Sequence, residues 1–124
     1  MKSEVTPLSD SEHLLLEEGK VLFNQGKYWH AHEAWEDLWN CLKSRNCASG
    51  EILLIQGLIQ TSALLYHHEK KNHNGICKQW EKLERKLSGW GTVWGIDIES
   101  HLMNIKLFVN DEGIVAIDPR TVQL

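Results

Sequence analysis

The chain lacks the devices that brace small secreted proteins. Its three cysteines, Cys41, Cys47 and Cys77, are an odd number with no Cys-x-x-Cys spacing, which excludes a disulfide framework and a zinc knuckle. Reduced thiols in a cytoplasmic protein are the expectation. The opening Met1-Lys-Ser-Glu-Val-Thr-Pro7 has no apolar core of the kind a signal peptide carries. The longest apolar-rich stretch, residues 52–66, is shorter than a membrane span and is broken by Gln56 and Gln60, so no membrane contact is expected. A basic excess is missing too. The net charge is −4, which speaks against a nucleic-acid binder. Lys70, Lys71, Lys78, Lys82, Arg85 and Lys86 do outnumber Glu69, Glu81 and Glu84 in one segment. Without interleaved aromatics to stack on bases, that segment reads as a solvated helix face. There is no Ser-His-Asp order with a nucleophile elbow. Gly89-Trp-Gly91 and Gly91-Thr-Val-Trp-Gly95 fit no phosphate-cradling loop.

What is present points to helices. At 124 residues, with 42% apolar and 24% charged side chains, the chain is expected to form one domain over 1–124 with a single core. Ser9-Asp-Ser-Glu12 is a capping box opening a first helix. Its apolar face is expected to comprise Leu15, Leu22 and either Leu14 or Val21, with Glu12, Glu17, Glu18 and Lys20 turned away. Asn24-Gln25-Gly26 ends it, and a second helix over about 27–43 packs back antiparallel. After a polar loop at 44–50, residues 52–66 stay apolar for four turns, which marks a helix at the centre of a bundle. Asn72 or Asn74 caps a fourth helix with Ile76, Trp80, Leu83 and Leu87 on one side. A Trp-Gly loop at 88–95 folds back over the core. Asp97 caps a last helix with Ile98, Leu102, Ile105, Phe108 and Val109 inward. From Gly113 the tail reads as extended, since Pro119 disfavours helix before it. With no long alternating pattern, the fold class is all-α: a helical bundle of five helices in which the others surround one central apolar helix. Trp35 and Trp80 are expected to be buried.

The chemistry sits on two of these helices. Tyr28, His32, Trp35 and Trp39 recur at steps of four, three and four, so an apolar stripe carries a histidine, with Glu33 beside it and Glu36 one turn on. On the central helix Gln56, Gln60, Ala63 and His67 repeat the same steps, and Gly57 beside them admits a close neighbour. If the two polar faces meet, the bundle encloses a small polar pocket or a satisfied hydrogen-bond network, and that is the expected role of the cluster. An enzyme is the alternative, with His32, Glu36 and Glu33 as acid/base groups and Gln56, Gln60, His67 and Tyr28 as binding residues. Metal ligands would be His32, Glu36 and His67. No cofactor is preferred to a divalent metal, because His32-Glu33-x-x-Glu36 is not His-Glu-x-x-His and no Glu-x-x-His occurs.

The string Phe23-Asn-x-Gly26-x-Tyr28-x-x-Ala31-His32-Glu33-x-x-Glu36-x-x-Trp39, followed by Gln56-Gly57-Leu-Ile-Gln60 and Asn72-x-x-Gly75, resembles the domain-of-unknown-function family 309 over roughly residues 15–90. The resemblance implies a small helical bundle around one apolar helix and implies no activity. Ile76, where the family tends to have alanine, and the Trp-Gly loop depart from the pattern. Phe23-x-x-Gly26-x-Tyr28-x-x-Ala31 also looks like the opening of a tetratricopeptide repeat, which would imply a peptide-binding module. A protein partner or homo-oligomer therefore stays open as a further alternative.

Overall fold

The structure is a computed structural model that describes residues 7–46, 49–109 and 124. The expected tail from Gly113 lies outside the described residues. Five helices follow in order: α1 (Asp10–Asn24), α2 (Tyr28–Ser44), α3 (Ser49–Glu69), α4 (His73–Leu87) and α5 (Ile98–Val109). A two-residue hairpin, β1 (Thr92–Val93) against β2 (Ile96–Asp97), stands between the last two. The all-α bundle is the architecture observed. None of the helices is long and apolar enough to cross a membrane.

Local chemistry sets the helix ends. The Ser9 hydroxyl accepts from Glu12 N–H at 3.2 Å while Glu12 Oε1 accepts from Ser9 N–H at 2.9 Å, which completes the capping box. Gly26, with φ +79°, turns the chain from α1 into α2. Asn72, rather than Asn74, caps α4 by accepting from Gly75 N–H at 3.0 Å. Asp97 accepts from the Ser100 N–H and hydroxyl, and these two donors hold its carboxyl below the usual carboxylate range. Trp94 and Gly95, both at positive φ, make the tight turn of the hairpin.

The core is centred on α3, which packs most extensively against α4 and α2; α1 packs on α2, and α5 on α4. Leu54, Ile55, Leu58, Leu64 and Leu65 of α3 are fully buried. Thr61 and Ser62 enter this apolar interior by donating their hydroxyls back to Leu58 O and Ile59 O, each at 2.7 Å. Gly57 lets α4 come close, since a Cβ there would lie 2.7 Å from Leu87 Cδ2. Trp90 folds back from the Trp-Gly loop, buried, and donates to Lys86 O at 3.0 Å.

Two expectations need correction. In α1 the buried residues are Glu12, Leu16, Gly19 and Phe23, while Leu14 and Val21 are exposed. Three consecutive leucines allow several phases, and the phase is set by what meets α2: Gly19 against Trp35, and Glu12 against Arg45. Trp35 is fully buried as expected, but Trp80 is only partly covered. Its indole packs against the core only in part, as so large a side chain is rarely buried completely.

Candidate functional site

On α2 the turn from Tyr28 to Trp39 brings two polar residues beside the core stripe. His32 Nδ1 lies 2.8 Å from Glu36 Oε1. The distance suits an ion pair when the ring is protonated, yet no hydrogen bond forms from this nitrogen, so the carboxylate stands off the N–H direction. The other side of the imidazole is covered by Trp29, whose ring stacks on it at 5.3 Å and 11°. Trp29 itself remains 55% exposed and also touches Tyr66 at 5.7 Å.

Facing this pair, α3 and α4 complete a cavity of about 320 Å³ lined by His32, Glu36 and Trp39 of α2, by Gln56, Ile59, Gln60 and Ala63 of α3, and by Gln79 and Lys82 of α4. The Nε1 of Trp39 is buried and has no hydrogen-bond partner among the described residues. Its ring is covered by the Lys43 ammonium, 3.5 Å from the centroid. Lys86 donates to Gln60 Oε1 at 2.9 Å. Burial first, and then repulsion from Lys82 and Arg85, pull the Lys86 ammonium below the usual lysine range. A larger cavity of about 400 Å³ lies under the Trp-Gly loop, between residues such as Leu87, Trp90, Leu102 and Met103. It holds none of the candidate residues, and the smaller cavity has the chemistry.

The sequence-derived candidates therefore separate. His32, Glu36, Gln56 and Gln60 share one cavity. Among the described residues the four make no hydrogen bond to one another across α2 and α3. Glu33 points outward and pairs with exposed His30 at 3.4 Å. Tyr28 is buried with its ring edge-on to Phe23 at 5.3 Å, in the packing between α1 and α2. His67 lies one turn past the cavity, 3.3 Å from Asn72 Nδ2, where Gly75 leaves it room. The four-three-four step carried on past the point where the cavity ends. With His67 elsewhere, His32 and Glu36 supply two donors, and no group of three His, Cys, Asp or Glu side chains suited to a metal occurs among the described residues.

Gln79 and Lys82 were not legible as site residues, because on α4 they look like any solvated face. His101 was missed altogether. It is buried, its Nε2 lies 3.0 Å from Thr61 Oγ1, and its ring meets Phe23 edge-on at 5.4 Å. Since the Thr61 hydroxyl donates to Leu58 O, it accepts from His101, which fixes the Nε2–H tautomer. Nδ1 is then a buried acceptor with no partner among the described residues. Burial lowers the His101 pKa to about 3 and keeps the ring neutral.

Fold and site together define a small all-α bundle with a polar cavity between three of its helices. Residues 16–78, just over half of the chain, match the family described as Domain of unknown function (DUF309). The protein belongs to that family. The matched segment takes in α2 and α3 and stops within α4, before Gln79 and Lys82. No curated protein and no solved structure matches the chain.

Proposed function

We propose that the cavity between α2, α3 and α4 binds a small polar ligand. The observation that supports this is the failure of its polar groups to satisfy one another. The side chains of Gln56, Gln79 and Lys82 line the cavity with no hydrogen bond or ion pair among the described residues. Side chains whose donors and acceptors are left unused around a space of ligand size suit a guest. A library of neutral, cationic and anionic metabolites, screened by thermal shift, tests the proposal with Ala63→Trp and Gln56→Trp as cavity-filling controls. Ligands that stabilise the parent and neither filled variant are expected. Stabilisation of parent and variants alike would place the binding elsewhere.

A second reading rests on the 2.8 Å approach of His32 and Glu36. A carboxylate beside an imidazole facing a cavity can serve as a proton-transfer pair. Its test is turnover of a bound ligand that His32→Ala abolishes while binding persists. The peptide-module reading would instead show as peptide binding lost on changing the outward residues Trp29, His30 and Glu33.

A further inference from the structure

The chemistry of the α3–α4 side of the cavity says what the ligand carries. Lysine only donates hydrogen bonds, so the 2.9 Å contact from Lys86 Nζ assigns the oxygen of the Gln60 carboxamide to that side. What Gln60 retains for the cavity is its amide nitrogen, a donor. Lys82 adds an ammonium at the same wall, and lysine can only donate. Among the described residues no carboxylate pairs with Lys82, Arg85 or Lys86. These three cations crowd one another near the end of α4, and the charge of Lys82 and Arg85 is felt at the half-buried Lys86. The one carboxylate of the cavity, Glu36, is on the opposite wall and lies against His32.

Resting on the reading of this cavity as a ligand site, we infer that its ligand is a small anion, bearing a carboxylate or a phosphate that sits on the Gln60–Lys82 wall and points away from Glu36. Charged acceptors draw shorter and stronger hydrogen bonds from such a donor set than neutral ones do. The unpaired cations also raise the local concentration of anions.

Nuclear magnetic resonance titration of the full chain with inorganic phosphate and with acetate, against chloride at matched ionic strength, provides the test. Saturable shifts at the Gln60 and Gln79 side-chain N–H groups are expected with one of the two anions, and which one responds names the acid. Gln60→Glu replaces the amide donor by a carboxylate of the same shape, and Lys82→Gln removes a cation. Each should weaken the bound anion by about tenfold or more, since a hydrogen bond to a charged group is lost. Circular dichroism melts are recorded for both variants, and Lys82→Gln, at an exposed position, decides if Gln60→Glu melts early. Shifts no larger than those of chloride, or affinities indifferent to both variants, overturn the inference. Neutral ligands that bind the parent and are blocked by Ala63→Trp, with no anion bound, would overturn it while the cavity reading survives. Failure of every ligand class at this cavity would end both.

Discussion

The indole of Trp35 occupies the space that a side chain at Gly19 would need. A Cβ built on Gly19 would fall well inside van der Waals contact of the Trp35 ring. The same indole donates to Leu16 O at 3.2 Å, one turn earlier on α1. The close crossing of α1 and α2 thus depends on a missing side chain at one residue and a large, hydrogen-bonded one at the other.

Gly19→Ala is expected to destabilise the protein although alanine favours helix by about 1 kcal/mol over glycine. Trp35 is fully buried and has nowhere to retreat, and overpacking a filled site costs about 1–3 kcal/mol, sometimes more. Thermal melts of Gly19→Ala, Trp35→Leu and the double variant check this. On the Trp35→Leu background the added methyl should become neutral or stabilising. A rise in melting temperature for Gly19→Ala alone would contradict the packing.

Glu12 and Arg45 tie the start of α1 to the end of α2. Arg45 Nε donates to Glu12 Oε2 at 2.7 Å and Nη2 to Oε1 at 3.0 Å, in a forked pair. The Arg45 hydrogen bond is the main reason that the Glu12 carboxyl is held below its usual value of 4.5; desolvation opposes it and is smaller. Arg45 keeps 36% of its side chain in water, so Glu12→Gln should cost about 2–3 kcal/mol, less than a fully buried pair. With the folded pKa lowered, the contribution is complete above pH 4.5 and disappears as pH falls through the folded value. Urea melts at pH 7 and pH 3 should show a gap between parent and variant that is narrower in acid. An equal gap at both values would leave the ion pair without a role.

How far the sequence could be read follows from what each residue must satisfy. Ser9 and Glu12 announce a helix start because the capping box is local chemistry, and the apolar run at 52–66 announces a central helix because no other place would accept it. Gln56, Gln60, His32 and Glu36 were visible as a cluster because polar side chains recur on faces that should be apolar. His67 continued that rhythm, but rhythm cannot tell where α3 passes the end of α2. The phase of α1 depended on Gly19, whose role is defined by a ring sixteen residues away. Lys82, Gln79 and Arg45 look like ordinary surface residues until their neighbours from other helices are known. His101, in an unremarkable run of α5, is marked only by Thr61 forty residues earlier. Partners distant in sequence are the part that a single sequence hides.

The buried His101 should make the protein acid-sensitive. Its folded pKa is about 3, while the unfolded chain takes up the proton near the ordinary value of 6.5. Above 6.5 both states are neutral there and the group has no pH dependence. As pH falls from 6.5 towards 3, only the unfolded state is protonated, and this one site removes up to about 1.4 kcal/mol of stability per pH unit. His101→Leu should flatten the stability profile in that window, whatever it does to stability at pH 7. Chemical denaturation at half-unit intervals measures the two slopes. Parallel slopes would mean that the imidazole is protonated within the fold.

His32 and Glu36 separate a binding site from a structural network. Glu36 keeps 46% of its side chain exposed and its contact with His32 is a single i,i+4 pair. Pairs of that kind contribute about 0.3–0.5 kcal/mol. Neither residue bonds across to α3 among the described residues, so truncation strands no buried partner there. His32→Ala and Glu36→Gln should therefore melt close to the parent while changing ligand affinity in the cavity. A loss of about 1–3 kcal/mol for each, the cost of leaving a buried polar group unsatisfied, would instead make the cluster a piece of the scaffold. The same melts with zinc or magnesium added examine the two-donor limit. Stabilisation of the parent by metal that His32→Ala removes would show that a third ligand is recruited, and the cavity would then have to be read as a metal site.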